Sequence, residues 1–286
     1  MSLETDVRTN DGETGFVEDV LQQAHRSDIA LIGTVPVLLV TIHLLPREAL
    51  EQLAFDTTQP TVVTAFASHF VHMDAFHLFG NSTVYLCVVG ITYILCILSN
   101  RRRFFRLSFF ILVLAFPIVL SSMQLVFPRE RLIFGFSGIN AAFAGMACFV
   151  FTGYVRENIT PRAKEQYAPT LFFLTTGLIA LITLPTAAFR FEVAVASFAL
   201  GMGYVGIALY QQGLPTKADL RRATDRPGYF ETAGGALGLI VGYPFVAFQD
   251  VIVLENGVLN VYIHLMGSAL AFTLLFSYVF VTAAED

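Results

Sequence analysis

Ser137, His264, His77 and Asn81 are the residues of this sequence whose types could together carry out acyl transfer. A serine hydroxyl is a weak nucleophile until a neighbouring base takes its proton, and an imidazole is suited to that task near neutral pH. Ser137 stands in the string Gly135, Phe136, Ser137, Gly138, and His264 is the base on a different apolar run at a matching depth. A carbonyl attacked by serine becomes an oxyanion, which needs N–H donors. His77 and Asn81, four residues apart, share one helix face and can supply them, as can the Ser137 amide if a helix starts there. No Asp or Glu accompanies His264 in its run, so the expected unit is a Ser–His pair without a third acid.

The elements that must position these groups are membrane helices. Of 286 residues, 55% are hydrophobic and 14% charged, outside the usual globular balance of roughly half apolar and about a quarter charged. The apolar residues run in long blocks with the charges between them, which excludes a water-soluble enzyme, a disordered chain and a disulfide scaffold. The net charge of −5 argues against a nucleic-acid partner, because phosphate binding needs concentrated Lys and Arg. Residues 1–28 hold Glu4, Asp6, Asp11, Glu13, Glu18, Asp19 and Asp28 against Arg8 and Arg26, and read as a solvated acidic tail, unstructured or with one short helix. Residues 29–286 form the membrane-embedded part. The first apolar run lacks a basic segment before it, so it is expected to stay as a span. Cys87, Cys96 and Cys148 all fall inside apolar runs and read as core filler.

A helix needs about 20 apolar residues to cross the hydrocarbon core. Runs of roughly that length lie at 29–46, 75–99, 104–127, 135–155, 167–188, 192–212, 232–252 and 259–282, which predicts an all-α polytopic bundle of eight spans. Placing the N-terminus inside puts 13 basic residues, among them Arg101, Arg102, Arg103, Arg106, Arg156 and Arg162, on the cytoplasmic side. The outside then carries Arg47, Arg129, Arg131 and Arg190. Both termini are therefore expected in the cytoplasm of a cell-membrane protein. At a rise of about 1.5 Å per residue, Ser137 sits on the order of 9 Å below the outer surface if the segment after Arg131 is helical, and less deep if it is looped. His77, Asn81 and His264 reach a similar depth. Polar groups in lipid cost several kcal/mol unless paired, so this shared depth implies a small wet cavity.

At these residues the sequence resembles the rhomboid intramembrane serine proteases. His72, His77 and Asn81 are spaced as in the family's H-x4-H-x3-N element, Gly135 to Gly138 match its GxSG element, and His264 with Gly267 matches HxxGxxxG, Ala271 replacing the last glycine. The resemblance implies a core of six helices, here with about two additional spans. It also implies an intramembrane serine endopeptidase that cuts peptide bonds in or near transmembrane segments of other membrane proteins. Ser137 and His264 are then the catalytic dyad, with His77, Asn81, His72 and Gly135 lining or supporting the oxyanion site, and no cofactor or metal is needed. Substrates would be transmembrane proteins met in the lipid bilayer. This chain departs from the family in having three spans between the Ser and His helices and no Trp. Ala141 stands where an aromatic often flanks the histidine. Ala271 predicts a wider contact between the Ser and His helices.

Plainer roles stand beside these. Ser137 with its flanking glycines could be a helix-packing residue, and His264 a cap or headgroup contact. His43 and His69 read as interfacial histidines, Asn140 as a polar packing group, and a metal site from His69, His72, His77 and Asp74 lacks a common face. The glycines at 201, 203, 206, 234, 235, 238 and 242 are expected to permit close helix packing, and the Arg101–Arg103 cluster to set orientation. Two other functions fit the spans: a rhomboid-like binder of membrane proteins without protease activity, and a small-molecule transporter, against which the sequence shows no repeat between its halves.

Overall fold

The computed structural model describes residues 15–126, 132–183, 189–248, 253–254, 257–258 and 261–282. Residues 1–14 of the expected acidic tail, and Arg129 and Arg131 of the expected outer charges, lie outside the described residues. In chain order the helices are α1 (Phe16–Gln23), α2 (Arg26–His43), α3 (Arg47–Leu53), α4 (Val62–Ala67), α5 (Ala75–Ile97), α6 (Arg102–Phe110) and α7 (Phe116–Gln124). They continue with α8 (Ser137–Asn158), α9 (Pro169–Thr183), α10 (Arg190–Gln212), α11 (Lys217–Asp225), α12 (Tyr229–Ala247) and α13 (Val261–Thr282). A two-residue antiparallel pair, β1 (Val253–Leu254) with β2 (Gly257–Val258), precedes α13.

Seven helical segments among the described residues are long and apolar enough to cross a membrane: α2, α5, α6 through α7, α8, α10, α12 and α13. The eighth expected span, 167–188, corresponds to α9, which has 15 described helical residues, or about 22 Å at the helical rise; residues 184–188 lie outside the described residues. α9 forms an antiparallel hairpin with α10. Gly177 faces Phe198, Gly201 faces Leu174, and the Tyr167 hydroxyl donates to Gln211 at 2.8 Å.

Two prolines shape the spans. Pro36 has no N–H for the carbonyl of Ile32, one turn back, and the buried Tyr85 hydroxyl of α5 supplies the missing donor at 3.0 Å. Between α6 and α7, residues Ile111–Ala115 form a π-turn just before Pro117, so the chain continues as one span.

α8 is the central helix, and every residue from Gly138 to Val150 is buried. It is apolar on all sides and rich in Ala and Gly, the pattern of a helix with neighbours all round. α13 lies along it in the same direction: Gly138 meets Ile263 and Gly267, Gly145 meets Ser268, and the Phe149 ring meets Phe276.

One end of the bundle collects the charges. Asp28 is fully buried, where the tail reading expected a solvated acid: Arg102 Nε donates to it at 2.5 Å, Arg106 Nε lies 3.6 Å away, and the Tyr93 hydroxyl donates at 3.3 Å. A helix that starts at Arg26 instead of Ile29 carries this carboxylate inward, where two arginines satisfy it. Glu165 pairs with Arg101 and, at 2.7 Å, with Arg156, and Asp219 pairs with Arg162 at 3.1 Å. Part of the Arg101–Arg106 cluster is thus tied into ion pairs. The amphipathic α1 docks at this same end, with Phe16 edge-on to Tyr229 and Asp19 accepting from its hydroxyl.

Two packing expectations are corrected. A Cβ at Gly203, Gly206, Gly234, Gly235, Gly238 or Gly242 would touch nothing within 4 Å, so these glycines face open surface; Gly201 alone of that set sits in a tight contact. Cys87 is exposed, while Cys96 and Cys148 are buried.

Candidate active site

At the end of the bundle opposite the arginine-rich one, three histidines and a serine lie within a chain of contacts built from four elements. Ser137 is the first residue of α8, and the segment before it is held by backbone bonds to the long loop between the first two spans. Phe55 and Ile133 exchange both bonds at 2.9 Å, and the Gly135 N–H donates to the Ser68 carbonyl at 3.0 Å. Gly135 adopts φ +110, and a Cβ there would stand 2.9 Å from His77 Cε1. Only glycine lets the chain turn here with the His77 ring against it. Phe136 is fully buried and packs on Tyr85 and Phe70, which anchors the turn from below.

His77 sits in the first turn of α5, whose N-terminus is capped by Asp74 accepting from the His77 N–H at 2.7 Å. Asp74 therefore serves as a cap, and among the described residues no cluster of three or more His, Cys, Asp or Glu could hold a metal ion. The His72 ring is fully buried and edge-on to His77 at 4.9 Å, and its own carbonyl accepts from His43 Nδ1 at 2.9 Å. His43 thus braces the strand of contacts leading to His77. His69 lies apart from it, bonded to Ser121 at 3.1 Å.

Asn81, one turn below His77, donates to the His77 carbonyl at 3.2 Å. Asn140 of α8 donates to the Asn81 backbone oxygen at 3.0 Å and to its Oδ1 at 3.2 Å. Asn140 is therefore the clamp that fixes α5 against α8 and orients the Asn81 amide. Reading it as a polar packing group captured the contact without its partner.

His264 lies in the first turn of α13, 1% exposed. Its Nδ1 is 2.8 Å from the carbonyl oxygen of Ala247, the last residue of α12. A carbonyl accepts only, so Nδ1 carries the proton and neutral Nε2 keeps its lone pair. Nε2 is buried and has no hydrogen-bond partner among the described residues. The fully buried Phe248 stands edge-on to the ring at 5.6 Å. This aromatic comes from the end of α12 and not from the position of Ala141 on α8.

The two central residues of the site thus start parallel, touching helices. Ser137 precedes Gly138, whose Cβ would lie 3.4 Å from the Ile263 side chain, and His264 follows Ile263. α9, α10, α11 and α12 intervene in sequence, yet among the described residues no helix lies between α8 and α13. Ala271 is fully buried, and one turn before it the Ser268 backbone lies against Gly145 of α8. The Ser137 hydroxyl is half-buried and not bonded to His264. Such bonds are often long before substrate binds and tighten in the complex.

The sequence reading missed the Ala247 carbonyl, Phe248 and Ser68. Backbone acceptors carry no type signal, and a Phe among 28 gives none either. Comparison with known proteins gives no match: no family model, curated protein or solved structure matches this chain.

Proposed function

We propose that this chain is an intramembrane serine endopeptidase of rhomboid type, cutting peptide bonds in or near the transmembrane segments of other membrane proteins. The observation that carries this reading is the state of His264. Its Nδ1 is bonded to a carbonyl, and its bare, buried Nε2 sits in the first turn of the helix packed directly along the one that Ser137 begins.

In this mechanism Ser137 Oγ attacks the substrate carbonyl carbon while its proton passes to His264 Nε2. The oxyanion is met by the Ser137 amide, which as a helix-start N–H has no intrahelical acceptor, and by donors of His77 and Asn81. His264 then protonates the leaving amine as the C–N bond breaks. A water, deprotonated by the same nitrogen, hydrolyses the acyl-enzyme. The six helices α2, α5, α6–α7, α8, α12 and α13 form the rhomboid-like core of this proposal, with the α9–α10 hairpin added between the fourth and fifth. The arginine-rich end faces the cytoplasm by the positive-inside rule, with both chain termini there and the Ser137 end toward the outside.

The absence of a hydrogen bond between Ser137 and His264 Nε2 favours one second reading, a rhomboid-like binder without protease activity. Purified protein in detergent, incubated with a labelled transmembrane substrate, separates them. Cleavage is expected from the wild type and from neither Ser137→Ala nor His264→Ala, and a fluorophosphonate probe is expected to label the wild type but not Ser137→Ala. Cleavage surviving both substitutions would remove the assigned pair, and binding of substrate without cleavage would favour the binder.

A further inference from the structure

The helix whose end bonds His264, α12, carries none of the residues matched to the family elements. α12 ends at Ala247, and the Phe248 N–H closes the last turn on the Pro244 carbonyl at 3.0 Å. The final carbonyls of a helix have no intrahelical partners, and together they carry about half a negative charge. The Ala247 oxygen lies at this negative end and accepts from His264 Nδ1. Phe248, wedged between Tyr243 at 6.4 Å and His264 at 5.6 Å, fixes the tilt of the imidazole at 87° to its own ring.

We propose that the C-terminal turn of α12 does for His264 what a carboxylate does in a Ser–His–Asp triad; this rests on the reading of Ser137 and His264 as nucleophile and base. A triad carboxylate holds the histidine in the tautomer with a free Nε2 and stabilises the imidazolium once the serine proton arrives. The Ala247 carbonyl meets the first requirement because it can only accept. It meets the second because the Nδ1–H bond becomes charge-assisted when the ring is protonated, and because the helix end already bears negative charge. Both effects are larger in a buried site than in water. No carboxylate among the described residues bonds to His264. Phe248 is accordingly a positioning residue: it touches neither substrate nor reacting atoms in this scheme and acts by holding the ring on the carbonyl.

The test uses full-length protein in detergent with histidine-specific 15N labelling, His264→Gln identifying the resonance. The wild type is expected to show His264 protonated at Nδ1. Phe248→Ala is expected to lower kcat about tenfold with KM changed less than about twofold, and to mix the two His264 tautomers. Phe248→Tyr, which keeps the ring, is expected to retain most of kcat and the wild-type tautomer. Incorporating the α-hydroxy analogue of phenylalanine at position 248 converts the 247–248 amide to an ester. Its weaker carbonyl acceptor is expected to reproduce the loss in kcat with the aromatic ring intact. A wild-type His264 protonated at Nε2, or kcat unmoved by both Phe248→Ala and the ester, would overturn the proposal. A wild type inert toward every substrate would remove the protease reading instead, and the tautomer would then still decide whether α12 holds the ring.

Discussion

Gly267 of α13 sits over the carbonyl oxygen of Gly138 on α8, so close that a Cβ at position 267 would overlap that oxygen. This contact lies one residue from Ser137 and three from His264, so the spacing of the two helices sets the spacing of the two side chains. A Cβ at Gly267 must push α13 outward. Gly267→Ala is expected to cost about 1–3 kcal/mol of stability and to lower kcat/KM well beyond that of the fold-neutral control Gly238→Ala, whose Cβ meets nothing. Thermal unfolding in detergent and substrate cleavage check both; equal behaviour of the two variants would show that helix separation does not limit the site.

Gly135→Ala is expected to be inactive while still folded. The left-handed φ costs a Cβ-bearing residue about 1–2 kcal/mol, and the new methyl would strike the His77 ring and displace it from the Ser137 turn. Circular dichroism should remain helical, and probe labelling of Ser137 should fall sharply. Wild-type labelling of Gly135→Ala would mean that His77 has room to move without consequence.

Asp28 is the buried acceptor for two arginines, so Asp28→Ala leaves Arg102 and Arg106 facing one another without a counter-charge. Because Arg102 is about a third exposed (32%) and Arg106 more so, water offsets part of the loss. A destabilisation of about 1–3 kcal/mol is expected, with kcat little changed because the cluster is at the far end of the bundle. Unfolding midpoints against kcat make the distinction, and a selective loss of kcat would contradict it.

The short helix α11 outside the spans should respond to acid. The Thr216 N–H and hydroxyl, and then Arg162, hold the Asp219 carboxyl down to about 2, below its unfolded value of about 4. A depressed carboxylate contributes stability that is complete above the unfolded pKa and lost as pH falls through the folded one. Hydrogen exchange of residues 216–226, corrected for intrinsic rates, should therefore show protection at pH 5 that declines between about pH 4 and pH 2. Asp219→Asn should already exchange faster at pH 5. Protection independent of pH in this window would show that the Thr216 capping box holds without the charge.

What could be read from the chain in one dimension was whatever depends on residue type and period. Runs of apolar residues near the length of a bilayer marked the spans because lipid admits little else, and only α9, whose run extends into residues outside the described set, fell short of that length. Residue types at a common depth marked Ser137, His77, Asn81 and His264 for the same reason: polar groups stand out against hydrocarbon. Tertiary structure alone decided the partners. Asp28 looked solvated because three neighbours in sequence are polar, and it became a buried acceptor only when Arg102 and Arg106 approached from another helix. The α12 glycines looked like packing surfaces, but α12 turns them to the outside. The hydrogen bond that orients His264 comes from a main-chain oxygen 17 residues away. Every residue has such an oxygen, so nothing in the order of amino acids distinguishes Ala247 until α12 and α13 are set side by side.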